Sequence, residues 1–95
     1  SYMFNYSQAT TLDVSNFDTS KVTNMSSMFR NASNLKTIYV SNKFVTTAVT
    51  SSNRMFSDCT KLIGGNGTKY NSSHVDKAYA HIDGGTSNPG YFTKK

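Results

Sequence analysis

The sequence predicts an α+β repeat solenoid: stacked coils, each made of one short strand plus a short helix or 3₁₀ segment, closed at the C-terminal end by a β cap. Three observations lead there. The chain matches itself at a nearly constant offset. Within each copy, an alternating apolar pattern gives way to a helical stripe. The strong hydrophobes are also scarce, since Leu, Ile, Val and Phe together number 18 of 95 residues while Ser, Thr and Asn number 36. A coil that borrows its core from its neighbours needs few inward positions, so low apolar content is compatible with order.

The repeat is the strongest signal, and a missed repeat mis-assigns the whole fold. Residues 1–16 laid on 27–42 give seven identities at an offset of 26, including Thr11/Thr37, Val14/Val40 and Asn16/Asn42. Residues 17–35 laid on 44–62 give seven more at an offset of 27, among them Phe17/Phe44, Val22/Val49, Met28/Met55, Phe29/Phe56 and Leu35/Leu62. One inserted residue, Lys43, accounts for the change of offset. Residues 1–62 therefore read as about two and a half repeats, starting near 1, 27 and 54, and residues 63–95 as a separate closing unit.

Each copy opens on a strand. Leu12-Asp13-Val14-Ser15-Asn16 and Ile38-Tyr39-Val40-Ser41-Asn42 alternate apolar and polar, placing Leu12, Val14, Ile38 and Val40 inward. Asp18-Thr19-Ser20 follows with turn and N-cap chemistry. Val22, Met25, Phe29 and Ala32 then recur at helical spacing, as do Val49, Ser52, Phe56 and Cys59 in the next copy, so a short helix is expected in each. After Leu62 the pattern stops at Gly64-Gly65-Asn66-Gly67. Ala78, Ala80 and Ile82 alternate like a strand, and Ser87-Asn88-Pro89-Gly90 signals a turn before Tyr91-Phe92, giving a cap that contains a β-hairpin.

The spacing Leu35-x-x-Ile38-x-Val40-x-Asn42 approximates a leucine-rich-repeat strand, with one residue fewer before the Asn. The segments LDVSNFDTSKVTNMSSMFRNASNLKTI and MFSDCTKL, with the tail elements GGNGTKY, DKAYAHIDGG and NPGYFT, closely resemble the BspA-like leucine-rich-repeat family of bacterial cell-surface proteins. The resemblance covers nearly the whole chain. The family's recurrent cysteine is present as Cys59, with Ala32 in the equivalent place one copy earlier. The resemblance implies a secreted, surface-exposed protein acting in adhesion, with a protein or glycan ligand, host extracellular matrix included. It also implies further N-terminal repeats in the intact protein. They would cover the apolar end expected near Tyr2, Met3, Phe4 and Leu12, and the chain, which opens directly on Ser-Tyr-Met-Phe, is read as a fragment.

Charge and composition narrow the function classes. The net charge is +5, but Lys21, Arg30, Lys36, Lys43, Arg54, Lys61, Lys69 and Lys77 are spaced singly, and only Lys94 and Lys95 adjoin. Scattered cations read as a solvated surface, not as a nucleic-acid partner. No apolar run approaches the ~20 residues of a membrane span, so no membrane insertion is expected of this segment. A single cysteine excludes an internal disulfide.

The candidate chemical motifs are weak. Cys59 with His74 or His81 offers a thiol and a base, but Cys59 sits at an inward position and reads as a small core residue. His74-Val75-Asp76 and His81-Ile82-Asp83 each place two ligand types on one strand face, short of the four that a structural metal site wants. Gly64-Gly65-Asn66-Gly67-Thr68-Lys69 looks like a phosphate loop but lacks the Gly-Lys-Ser/Thr ending and a following helix. No enzyme, cofactor or metal site is expected. The better candidate is the outward strand face, where Thr11, Asp13, Ser15, Thr37, Tyr39 and Ser41 form a shallow polar ladder with Tyr39 as an aromatic anchor. A non-enzymatic interaction module is the leading expectation. The alternatives are a structural spacer or cap that displays another domain, and, remotely, a small metal- or thiol-dependent enzyme.

Overall fold

The computed structural model describes residues 10–26, 28–30 and 32–95. Tyr2, Met3 and Phe4, named above as an apolar end, lie outside them. Three short strands, β1 (Thr11–Asp13), β2 (Thr37–Val40) and β3 (Phe92–Lys94), form one parallel sheet in that order. The β1–β2 pairs are Thr11 with Thr37, Leu12 with Ile38 and Asp13 with Tyr39, which are the residues that the offset of 26 aligns. An isolated parallel bridge between Asn24 and Ser51 realises the second offset, 27. The internal repeat is thus expressed as lateral pairing of equivalent residues.

The sheet has one face in the core. Ile38 and Phe92 are buried in adjacent strands, and Leu12 packs against the same cluster. Around them gather Val14, Met25, Met28, Phe29, Ala32, Leu35, Val40, Phe44, Val49, Met55, Phe56, Cys59, Leu62, Ala80 and Tyr91. Aromatic rings bind the copies to each other and to the tail. Phe29 stacks on its repeat equivalent Phe56 at 5.5 Å, while Phe92 meets Phe44 edge-on at 4.7 Å and Tyr91 meets Phe56 edge-on at 5.0 Å. Such contacts add to area burial by about 0.5–1.5 kcal/mol each.

The expected α+β repeat solenoid is overturned. The molecule is a globule measuring 28 × 27 × 25 Å. Among the described residues the helical content is two 3₁₀ turns, Lys77–Tyr79 and Gly85–Ser87, both in the tail. The tail does not close the sheet as a separate β cap either: β3 enters the same sheet parallel to β2, and the expected strand around Ala78 is a 3₁₀ turn.

The reason lies in where the backbone groups find partners. In a helix the N–H groups of Met25 and Phe29 would bond four residues back. Here they donate sideways to the carbonyls of Ser51 (2.7 Å) and Met55 (2.9 Å), one copy further on. Asn24 reinforces the departure, its Oδ1 accepting from the Ser26 N–H at 2.9 Å. In the second copy Arg54 and Asp58 adopt left-handed backbone, with φ of 58° and 66°, which an α-helix does not accept. The stripe nevertheless does its packing work, since Met25, Phe29, Ala32, Val49, Phe56 and Cys59 are all buried. Helical spacing predicted the buried face in part and the backbone wrongly: Val22 and Ser52 are only half-buried, whereas Met28 and Met55, off the stripe, are buried.

Polar side chains close several of the turns. Side-chain oxygens of Asp13, Asp18, Asn24, Asn71 and Asp76 each accept the N–H two residues on, making a series of short Asx turns. Thr19 acts between copies. It is buried, and its hydroxyl donates to the Val45 carbonyl (2.8 Å) and accepts from the Val45 N–H (2.7 Å).

Candidate functional site

The polar strand face is the first candidate. With Leu12, Ile38 and Phe92 directed to the core, alternation sends Asp13, Tyr39 and Thr93 to the opposite face, and the register sets these three side by side across β1, β2 and β3. Thr11 and Asp13 are exposed, while Ser15, Thr37, Tyr39 and Ser41 are half-buried. Thr11 pairs with Thr37, beside the Asp13–Tyr39 pair. Thr11, Asp13, Thr37 and Tyr39 are therefore neighbours on paired strands, while Ser15 and Ser41 lie beyond the strand ends.

The tail adds two members that sequence reasoning left out. Thr93 extends the central row, and the Lys95 ammonium ion-pairs with the Asp13 carboxylate. The Lys95 N–H also donates to the Val40 carbonyl at 3.0 Å, holding the end of the chain beside β2. The hydrogen bond from Lys95, with further support from Ser15, holds Asp13 well below the usual carboxylate range. The ladder thus has fixed charges of both signs at one edge and a tyrosine in its middle row. No local signal points from Lys95 to a residue 82 positions earlier.

A second polar cluster lies in the tail. Asp83 is buried, and its carboxylate accepts from the N–H groups of Asn66 (2.8 Å), Thr68 (3.0 Å), Gly85 (2.9 Å) and Gly90 (3.3 Å) and from the Thr68 hydroxyl (2.7 Å). Burial alone pushes its pKa up, yet these donors outweigh that and bring it down to about 2. The Gly-rich loop that resembles a phosphate loop does cradle an anion, but the anion is the chain's own carboxylate. Gly64 is required there, because a Cβ at that position would lie 2.1 Å from the Gly90 carbonyl oxygen and 2.6 Å from Asp83 Oδ2. Asp83 spends its lone pairs on N–H and O–H donors, so the cluster ties loops together.

The other candidate groups are engaged as well, apart from His81, whose buried Nε2 has no hydrogen-bond partner. Cys59 is fully buried, its thiol donates to the Phe29 carbonyl at 2.9 Å, and burial pushes its pKa up to about 12. It is a core residue and no thiolate nucleophile at neutral pH. The His74 ring lies parallel to Tyr79 at 4.4 Å, and Asp76 caps the 3₁₀ turn through the Ala78 N–H. Tyr91, buried at the heart of the tail, accepts from the Asn71 N–H (3.0 Å) and donates to the His74 carbonyl (2.8 Å) through its hydroxyl.

A third feature is an open groove of about 460 Å³ lined by Lys36, Thr60, Lys61, Leu62, Ile63, Lys69 and Tyr70. It gathers Lys36 with Lys61 and Lys69, which lie 25 or more residues further along the chain.

In comparison with known proteins, the family model described as Mycoplasma protein of unknown function, DUF285, matches residues 1–91. No curated protein and no solved structure matches the chain.

Proposed function

This chain belongs to the DUF285 family, and on that footing we propose that it is a non-enzymatic interaction module of a bacterial surface protein of the BspA-like leucine-rich-repeat type, acting in adhesion or recognition of extracellular macromolecules. The observation that carries this reading is the polar strand face, with Tyr39 flanked by Asp13 and Thr93 on adjacent strands. A half-buried tyrosine supported by rigid neighbouring strands contributes contact area at low entropic cost. Polar groups around it set orientation without driving self-association.

The test uses the whole chain with the paired substitution Tyr39→Ala and Asp13→Ala. Immobilised extracellular-matrix proteins are screened one at a time by surface plasmon resonance. The unmodified chain is expected to bind at least one of them, and the double variant to lose about tenfold or more in affinity, the scale of one interface hot spot. Binding that is unchanged in a folded double variant sinks the strand-face site.

A further inference from the structure

From the lysine groove we propose a second interaction surface, one that takes an acidic peptide segment carrying an aliphatic side chain between its carboxylates. It lies on residues separate from the ladder, and it stands whether or not the ladder binds.

Three separated stretches of chain build the groove and are pinned to one another. The Ile63 N–H donates to the Lys36 carbonyl at 2.9 Å, and the Tyr70 N–H donates to the Leu62 carbonyl at 3.0 Å. Ile63 and Lys69 form an antiparallel bridge. Tyr70 is fixed from two sides: its ring stacks on Tyr91 at 6.2 Å, and its hydroxyl accepts from the Asp58 N–H at 3.3 Å. The shape is therefore set in advance by hydrogen bonds and core packing, which lowers the ordering cost of binding.

The lining is apolar at the base and cationic at the rim. Leu62 is buried, Ile63 and Tyr70 are half-buried, and Lys36, Lys61 and Lys69 are exposed. The groove has no carboxylate in its lining. All five acidic residues of the chain are aspartates within the described residues, and among these residues the only ion pair is Lys95 with Asp13. Three lysines thus line the groove with apolar Leu62 and Ile63, and no carboxylate is among the lining residues. An apolar centre inside a charged rim is the anatomy of a binding hot spot, and the sign of the rim selects an anionic partner.

The floor chooses among anions. A sugar needs many hydrogen-bonding groups, and besides the lysines the lining side chains offer only the hydroxyls of Thr60 and Tyr70. Single-stranded nucleic acid wants a series of aromatic platforms for successive bases, whereas Tyr70 is the single aromatic residue of the lining. Leu62 and Ile63 suit an aliphatic side chain, and the rim lysines suit carboxylates on either side of it.

The experiment is a fluorescence-anisotropy titration of the whole chain with a fluorescein-labelled peptide of sequence Asp-Asp-Leu-Leu-Asp-Asp at low salt. Saturable binding is expected, weakening as salt screens the charges. The triple variant Lys36→Gln, Lys61→Gln, Lys69→Gln is expected to bind at least tenfold more weakly. A control with the same change of net charge, Lys21→Gln, Lys43→Gln, Lys94→Gln, is expected to bind within twofold of the unmodified chain, as is Tyr39→Ala with Asp13→Ala. All six lysines are exposed, so both triple variants should fold. A peptide with Ser in place of both Leu should bind at least fivefold more weakly. No saturable binding, equal loss in the two triple variants, or equal binding of the Ser peptide each overturns the proposal. So does a sulfated oligosaccharide that binds the groove when the peptide does not.

Discussion

Asp83 illustrates how one residue can organise a segment with little regular structure. Five donors from three stretches of the tail converge on its carboxylate. Asp83→Asn would present an amide N–H₂ to groups that themselves donate, and is expected to cost about 1.5–3 kcal/mol, the range for hydrogen bonds to a charged group. The pH dependence has a definite sign. Its pKa is lowered from 3.8 to about 2 in the folded chain, so the folded state favours the carboxylate. That stabilisation is complete above about pH 4 and disappears as pH falls through about 2. Denaturant midpoints measured between those limits should therefore fall with acid in the unmodified chain and fall less in Asp83→Asn. Equal slopes would show that the cradle carries no such linkage. Sequence alone did not single out this aspartate for this role, because His81-Ile82-Asp83 invites a metal reading and the glycine loop a phosphate reading. The two motifs in fact meet each other.

Among the elements, the parallel strands are only three or four residues long, and contacts between copies hold them in register. Thr19 is the clearest of these. Its hydroxyl makes a reciprocal pair with the Val45 backbone, and its N–H donates to the Lys43 carbonyl at 3.2 Å. Lys43 is the inserted residue that shifts the offset from 26 to 27, so this buried threonine also secures the point where the two copies differ in length. Thr19→Val keeps the shape but strands both groups of Val45, and chemical denaturation should register a loss of about 2–3 kcal/mol. An unaltered midpoint would mean that water replaces the hydroxyl. The strand positions of this element were legible from alternation in Leu12-Asp13-Val14 and Ile38-Tyr39-Val40. The stripe from Val22 to Ala32 was legible only as a buried face, because spacing reports which side chains are apolar and not which carbonyl each N–H will meet.

At the scale of the molecule, the tail and the repeats share one core. Phe92 contacts Phe29, Phe44 and Phe56, one ring from each copy of the second half-repeat and one more from the insertion side. Phe92→Ala should remove about 3–5 kcal/mol, a large part of the ~5–15 kcal/mol available to a domain. The unmodified chain should also melt in one transition, with tyrosine fluorescence, to which the tail contributes Tyr70, Tyr79 and Tyr91, and far-ultraviolet circular dichroism changing together. Two separated transitions would mean that the tail folds as its own unit. The same shared packing brings Lys36, Lys61 and Lys69 to one groove and Lys95 to Asp13. In the linear chain these cations are simply dispersed.

The sequence by itself determined the pairing register and most of the buried set: residues 26 or 27 apart lie beside one another, and most apolar recurrences enter the core, although Phe17 is exposed. Both follow from side-chain chemistry, which is written locally and repeats. Only the tertiary structure decided the backbone state of the stripe, the parallel entry of β3, the occupant of the glycine loop and the convergence of the lysines. Each of those depends on a partner supplied by a distant stretch of chain. A backbone N–H or a carboxylate carries no mark of that partner until the chain has closed around its core.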